Sequence, residues 1–108
     1  MSEPRLIELA SQPPVSHDPN VADREQLVEG LRWALVEYAV QAGREEWCET
    51  PHVGYVVSGA ISYEFEDGRD AIEVSTGQGF LLPSSPRHRG RNLGSAPARL
   101  FLIDSELR

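Results

Sequence analysis

The sequence predicts an all-β fold, a sandwich or a small barrel, built as a single domain. Apolar runs of strand length recur at a spacing of roughly 8–12 residues, and clusters of turn residues separate them. Nine glycines and eight prolines in 108 residues supply many turns. No alternation of strands with long helices is visible, which argues against a parallel α/β sheet. A chain of this length has room for one hydrophobic core.

Composition and charge argue against several classes of protein. A hydrophobic content of 40% and a charged content of 25% are ordinary for a globular protein. No apolar run approaches the roughly 20 residues that span a bilayer, and the N-terminus has no stretch of signal-peptide type. The single cysteine cannot form an internal disulfide. We therefore expect a cytoplasmic protein without a membrane partner, and the net charge of −7 argues against nucleic acid.

The first part of the chain is the least regular. We expect residues 1–30 to form a short irregular N-terminal arm and residues 31–108 to form the β-barrel domain. Within the arm, residues 5–9 have the pattern of a short strand. His17 is expected in a surface loop. The aspartate and proline that follow it are suited to start one helical turn over residues 19–26.

The β-domain contains the stronger strand signals. Its first run is rich in Trp, Leu, Val and Tyr, although the helical spacing of some of these residues leaves a helix as the competing interpretation. Asp67-Gly68 is a hairpin turn signal between two alternating runs. The last run is apolar almost throughout, so we expect it to be buried on both faces. The predicted strands cover residues 31–40, 54–59, 60–66, 70–74, 80–83, 87–92 and 98–104.

Alternation within residues 87–92 directs one histidine inward. The three arginines of this segment cannot face a core, so they face solvent, where acidic residues of neighbouring strands can pair with them. A solvated strand face is therefore favoured over a nucleic-acid site. The same alternation points His88 inward, beside the gap at Gly90. For this segment alone we favour a buried histidine satisfied by a backbone carbonyl, with a pocket as the alternative.

A second polar group lies between the first two predicted strands. If this stretch is extended, Glu46, Cys48 and His52 project to the same side. All three side-chain types bind metals, and a thiolate combined with imidazole favours zinc. Pro51 interrupts strand pairing and indicates a strand end, edge or bulge. Cys48 as a small buried hydrophobe and His52 as a core histidine is an equally good interpretation of this stretch alone.

Two motifs give these residues a common context. The second motif of the cupins is written G-(x)5-P-x-G-(x)2-H-(x)3-N. The residues at its spacings are Gly77, Pro83, Ser85, His88 and Asn92, with serine in place of the second glycine. The chain thus resembles a small cupin, a jelly-roll or double-stranded β-helix barrel, from Leu31 to Asp104. The resemblance implies that His88 is a metal ligand and that Asn92 bonds to backbone at the strand end.

The first cupin motif, G-(x)5-H-x-H-(x)3,4-E-(x)6-G, is matched in spacing but not in ligand identity. Anchored on Gly59, its glutamate falls on His52 and its two histidines fall on Glu46 and Cys48. The resemblance therefore implies a divalent metal held by Cys48, His52 and His88, with Glu46 as a fourth ligand. The thiolate shifts the expected metal toward zinc, with iron second. If Glu46 does not bind the metal, it is the natural general base.

The resemblance also suggests a range of functions. Cupins of this type include isomerases, lyases, epimerases and dioxygenases, which implies a small polar metabolite (a sugar, sugar acid or keto acid) bound at the metal. Tyr63 and Trp33 are candidate pocket walls. The alternatives are a non-catalytic small-molecule-binding cupin and a structural cupin without metal; a structural role predicts tight packing and no cavity near His88. Because cupins usually pair, we expect a homodimer.

Overall fold

A computed structural model describes residues 3–16 and 18–105 of the chain, so His17 lies outside the described residues. Within them the chain forms eight β-strands and no helix, and thus no helix that could cross a membrane. The all-β prediction is confirmed. The strands are β1 (Val21–Val28), β2 (Leu31–Tyr38), β3 (His52–Ser58), β4 (Ala60–Phe65), β5 (Ile72–Ser75), β6 (Gly79–Leu82), β7 (His88–Arg91) and β8 (Ala98–Asp104).

The strands form two antiparallel sheets that enclose one core. The larger sheet has the order β1-β2-β8-β3-β6 and the smaller one the order β5-β4-β7. Inward side chains of both sheets, such as Val36 and Leu100 from the larger and Ile61 and Val74 from the smaller, form a single buried cluster. This is the jelly-roll arrangement that the motifs imply.

Strand β1 corrects one expectation for the N-terminal arm. The helical turn over residues 19–26 is wrong: these residues lie largely in β1, which pairs with β2 from Val21 opposite Tyr38 to Val28 opposite Leu31. A two-residue turn joins the strands, with Glu29 at φ 52° and Gly30 at φ 82°. Positive φ at both positions is what a tight hairpin requires. The larger sheet therefore begins at Val21, before the boundary expected at residue 31.

The chain ahead of β1 is irregular over the residues described. Residues 5–9 do not form the predicted strand. The arm is fixed instead by one bridge, in which Val15 and Asp23 exchange backbone hydrogen bonds of 2.7 and 2.9 Å. Arg24 adds a 2.6 Å bond from Nη1 to the carbonyl oxygen of Gln12. The arm thus covers the free edge of β1, which protects that edge from pairing with other chains.

Strand β7 has the predicted alternation. His88 is only 2% exposed, while two of the three arginines on the other face meet acids of β4 and the turn after it, and Arg91 donates to the carbonyl oxygen of Gln41. Arg87 donates from Nε to Oε1 of Glu66 at 2.7 Å, and Arg89 pairs with Glu64. The prediction that acidic neighbours pair with the arginine face is confirmed for Arg87 and Arg89.

Two further residues near β7 are explained by packing. A Cβ at Gly90 would lie 3.0 Å from the hydroxyl of Tyr38 and 3.0 Å from the ring of Tyr63, so the glycine makes room for two tyrosines. Asn92 is fully buried and donates from Nδ2 to the carbonyl oxygens of Tyr38, Ala39 and Ala96 at 2.8–3.3 Å. The predicted backbone role of Asn92 is confirmed.

Strand β8 is buried on one face, and the expectation of burial on both faces is wrong. Its buried positions alternate: Ala98, Leu100, Leu102 and Asp104. On the other face, which no second layer of the described residues covers, Phe101 packs edge-on against Trp33 with ring centroids 5.9 Å apart. Trp33 therefore lies on the outer face of the sheet. The expectation that Trp33 lines the pocket is wrong.

Two glycines of positive φ differ in their surroundings and give a matched test of packing. Gly59 has φ 80° and Gly77 has φ 88°. A Cβ at Gly59 would lie 2.5 Å from the carbonyl oxygen of Pro97, whereas a Cβ at Gly77 would meet nothing within 4 Å. We expect Gly77→Ala to lower the free energy of unfolding by about 1 kcal/mol through backbone conformation alone. Gly59→Ala should cost about 2 kcal/mol more, because the backbone must shift.

Urea unfolding followed by tryptophan fluorescence measures both changes. Equal losses for the two variants would show that the contact with Pro97 carries no cost.

Candidate metal centre

A cavity of about 790 Å³ opens between the two sheets. Its size falls in the range typical of small-molecule sites. The four predicted site residues, Glu46, Cys48, His52 and His88, all line it. A purely structural role predicts tight packing and no cavity next to His88, so the cavity argues against that role.

Backbone pairing brings the two predicted polar segments together. Cys48 and His88 form an isolated antiparallel bridge, with N···O distances of 2.8 Å from Cys48 to His88 and 3.0 Å in return. Residues that exchange both bonds lie directly opposite each other. Cys48 itself lies outside β3, which begins at His52, directly after Pro51. The proline thus marks a strand start, as its chemistry predicts.

A cross-strand row places an acid behind His52. Asp104 of β8 lies opposite Arg32 of β2 on one side and opposite His52 of β3 on the other. Oδ2 of Asp104 is 2.7 Å from Nη1 of Arg32 and 2.8 Å from Nδ1 of His52. The second contact is within ion-pair distance, although the ring is not oriented for a straight hydrogen bond. Glu25 of β1, which lies opposite Ala34, reaches Nε of Arg32 diagonally at 2.8 Å.

Three side chains converge in front of this row. The ligand atoms of Cys48, His52 and His88 lie within 4.8 Å of one another. Sγ of Cys48 is 3.8 Å from Nε2 of His52, close to the roughly 3.6 Å that tetrahedral zinc with normal bond lengths requires. Both ring nitrogens of His88 are buried without a hydrogen-bond partner among the described residues. An unsatisfied buried imidazole is costly, so the group fits a cation that would bind it.

Glu46 does not join this group. Its side chain is exposed at the wall of the cavity. Glu46 is not one of the three residues whose ligand atoms converge.

The fold and these residues can now be compared with known proteins. A family model described as "Cupin domain" matches residues 35–104. The chain belongs to the cupin family.

Similarity to individual proteins is more limited. Protein SchB of Streptomyces halstedii is 44% identical over 46 residues, which cover 43% of this cupin and 32% of SchB, about a third of its length. Among solved structures, the polyketide cyclase RemF from Streptomyces resistomycificus has a TM-score of 0.79 at 13% identity and is matched over 95% of this chain and 80% of its own. KdgF from Halomonas sp. has a TM-score of 0.73 at 19% identity over 96% of each chain. At these identities the structures establish the fold alone.

The electrostatic surroundings of Cys48 in this cupin favour the deprotonated form of its thiol, which is the form that binds metals. Burial raises the pKa of the Cys48 thiol, but interactions with His52, His88 and the amide of Thr50 outweigh it, so the pKa falls to about 5. Burial lowers the pKa of His52, while Asp104 and Cys48 raise it above its usual value in net effect. A thiolate is the form that binds metals, and the lowered pKa of Cys48 favours it at neutral pH.

A second buried ion-pair group lies in the cavity wall. Arg44 contacts Oδ2 of Asp18 at 3.2 Å and Oδ1 of Asp23 at 2.7 Å, and its Nε donates to the hydroxyl of Tyr38 at 3.3 Å. Asp23 is 5% exposed. Burial acts to lower the pKa of Arg44, but its neighbours Tyr38 and Asp23 raise it well above its usual value, so it stays charged.

The sequence interpretation missed Asp104 and Arg32. Both carry a readable signal. Asp104 continues the inward positions of β8, where an acid at the end of an apolar face needs a partner. Arg32 likewise shares the inward side of β2 with Ala34 and Val36. A charged residue on the buried side of a strand end was the sign that each belonged to a site.

Proposed function

We propose that this chain is a metal-binding cupin that acts on or binds a small polar metabolite at a divalent cation inside the barrel. The observation that carries the proposal is the convergence of three ligand atoms within 4.8 Å in a cavity of about 790 Å³. Cys48, His52 and His88 are the ligands. One thiolate and two imidazoles favour zinc, with iron second.

The residues around the cluster have separate tasks in this proposal. His52 binds through Nε2, because its Nδ1 faces Asp104. The Asp104 carboxylate, 2.8 Å from Nδ1, attracts that side of the ring and so orients it, and Arg32 holds Asp104 in place. Three protein ligands leave a position for a substrate oxygen or water, where a divalent metal supplies Lewis-acid polarisation.

Glu46 is the candidate general base. Its carboxylate lies in the wall of the same cavity but outside the ligand group, which supports a role in moving a substrate proton over a role as fourth ligand. A cytoplasmic setting is also part of the proposal, because the reducing cytosol keeps a single metal-binding thiol available.

Elemental analysis of untagged protein tests the metal site. We expect close to one equivalent of zinc or iron in the wild type. Cys48→Ala and His88→Ala should each lower occupancy at least tenfold after dialysis, because each removes one of three ligands. Glu46→Gln should keep its metal while reducing turnover of any substrate found.

Less than about a tenth of an equivalent of any transition metal, with no uptake on addition of zinc or iron, would refute the metal site. Loss of metal in Glu46→Gln would make Glu46 a ligand and remove it as the base.

The orienting role of Asp104 has a matched control in Asp23. Both aspartates are 5% exposed, both belong to the larger sheet and both pair with a buried-side arginine, but only Asp104 contacts His52. We expect Asp104→Asn to weaken zinc affinity by about 10- to 100-fold. Asp23→Asn should leave zinc affinity within about twofold, since the Asp23 carboxylate pairs directly with Arg44 and makes no contact with His52.

Competition with a zinc-binding dye measures both affinities, and unfolding curves correct for lost stability. Equal losses of affinity in the two variants would mean that Asp104 acts through general stability.

We also propose that the chain forms a homodimer through the outer face of the larger sheet. One cross-strand row on this face is uncharged throughout: Leu81, Val53, Ile103 and Trp33. Tyr55 and Phe101 continue it in the next row. Exposed apolar patches of this kind mark interfaces, and a second copy presents the same uncharged surface in a two-fold arrangement.

Sedimentation equilibrium tests the dimer. Wild-type protein should have the mass of a dimer at micromolar concentration, and Val53→Glu should be monomeric. Ile72→Glu is the control, because Ile72 is also partly exposed (40%, against 49% for Val53) but lies on the smaller sheet. A monomeric wild type, or a dimer unaffected by Val53→Glu, contradicts this interface.

A further inference from the structure

The charges around the cavity are unevenly balanced. Among residues 3–16 and 18–105, seven carboxylates and three guanidinium groups line it, an excess of four negative charges. A cleft lined by one sign of charge between low-dielectric walls focuses its field, so this excess acts on any charged molecule that enters. Which of these groups are already paired decides what the cavity admits.

The three arginines are already engaged. Arg32 and Arg44 each contact two carboxylates in the cavity wall. Arg89 pairs with Glu64, and its guanidinium carbon lies 4.1 Å from the ring centroid of Trp47. None of the cavity's cations is therefore free to bind a carboxylate or phosphate of a substrate.

The remaining acids form no direct ion pair, and Arg87 interacts with Glu49 only at longer range. Glu45, Glu46 and Glu49 lie on the segment between β2 and β3, their side chains are exposed, and all three border the cavity. Within residues 3–16 and 18–105, none of them has a cation at ion-pair distance. Their charges act on whatever enters.

The interior of the cavity offers different surroundings. His88 is 2% exposed with both ring nitrogens unpartnered, which independently indicates a ligand-binding end. Tyr38, Trp47 and Tyr63 add aromatic surface to the walls. An uncharged molecule finds both a polar end and an apolar wall here.

We propose that the cavity selects uncharged molecules bearing hydroxyl or carbonyl groups and excludes carboxylates and phosphates. The three loop glutamates repel anions. The inference rests on the proposed function in one respect, because it takes the repulsion of cations from the divalent cation at the cluster. That cation repels an ammonium group, just as the glutamates repel anions. Uncharged molecules are then the class that neither charge repels. Among the metabolites that the cupin resemblance suggests, it favours neutral sugars over sugar acids and keto acids.

Cys48 is the only cysteine of the chain and lines this cavity, so it reports the local field directly. The test compares its alkylation by iodoacetamide, which is neutral, and by iodoacetate, an anion of nearly the same size. In both reactions the thiolate sulfur forms a bond to carbon and iodide leaves. The ratio of the two rates cancels differences in thiol ionisation, and the same chain unfolded in urea gives the reference ratio.

We expect folded, metal-free wild-type protein at low ionic strength to prefer iodoacetamide about tenfold more than the unfolded chain does. The triple variant Glu45→Gln, Glu46→Gln, Glu49→Gln should remove most of this preference. A matched variant, Glu3→Gln, Asp70→Asn, Glu73→Gln, neutralises three exposed acids outside the cavity lining and should leave the preference unchanged. Added salt should reduce the preference in the wild type.

A rate ratio equal to that of the unfolded chain overturns the inference, as does an equal effect of the two triple variants. Failure of Cys48 to react with either reagent also overturns it, since the cavity would then admit no molecule of this size. Because the measurement uses no metal, these outcomes are separate from failure of the metal proposal, which elemental analysis decides.

Discussion

The carboxylate of Asp104 is the group on which the site and the larger sheet both depend. It is 5% exposed, and a buried charge is tolerated only when it is paired. Its partners, Arg32 and His52, come from the two strands that flank β8, so the charge is satisfied only in one register of β2-β8-β3. A shift of one residue in either strand would turn a partner to the outer face. The register of the sheet and the geometry of the cluster are therefore one constraint.

The two ends of the barrel interior contain different kinds of side chain, because one end holds the site and its buried charges. Apolar residues of both sheets, such as Leu100 and Ile61, fill the core away from the site. At the cavity, two arginine groups, centred on Arg32 and Arg44, occupy inward positions that would otherwise be apolar. Ion pairs of this kind add little net stability, because desolvation offsets their attraction. These ion pairs instead hold polar side chains in place around the cavity and keep its walls apart.

Much of this arrangement follows from the sequence, and the misses share a physical cause. The alternation through His88 and the spacing to Asn92 are local, so they predict β7 and its inward histidine correctly. Strand β1 was missed because its sequence, rich in Asp, Arg, Glu and Gln, is typical of a loop. Asp23 is acceptable inside the barrel only through Arg44, a partner supplied by a distant segment. Asp104 was missed for the same reason: the pairing that makes a charge buriable is not visible in its own strand.

The proposed ligand set is coherent when its charge is considered. The family pattern of three histidines and one glutamate carries one negative charge in its metal-binding state. Here His52 stands at the glutamate position, which removes that charge, and Cys48 stands at a histidine position, where its thiolate restores it. Glu46, at the remaining histidine position, does not join the group. Asp104 then places a further carboxylate directly behind His52, so the imidazole that replaced an acid is itself backed by one. In the proposed site, the three ligands together carry the same single negative charge as the family pattern, with one fewer ligand, which would leave more of the cation's surroundings open.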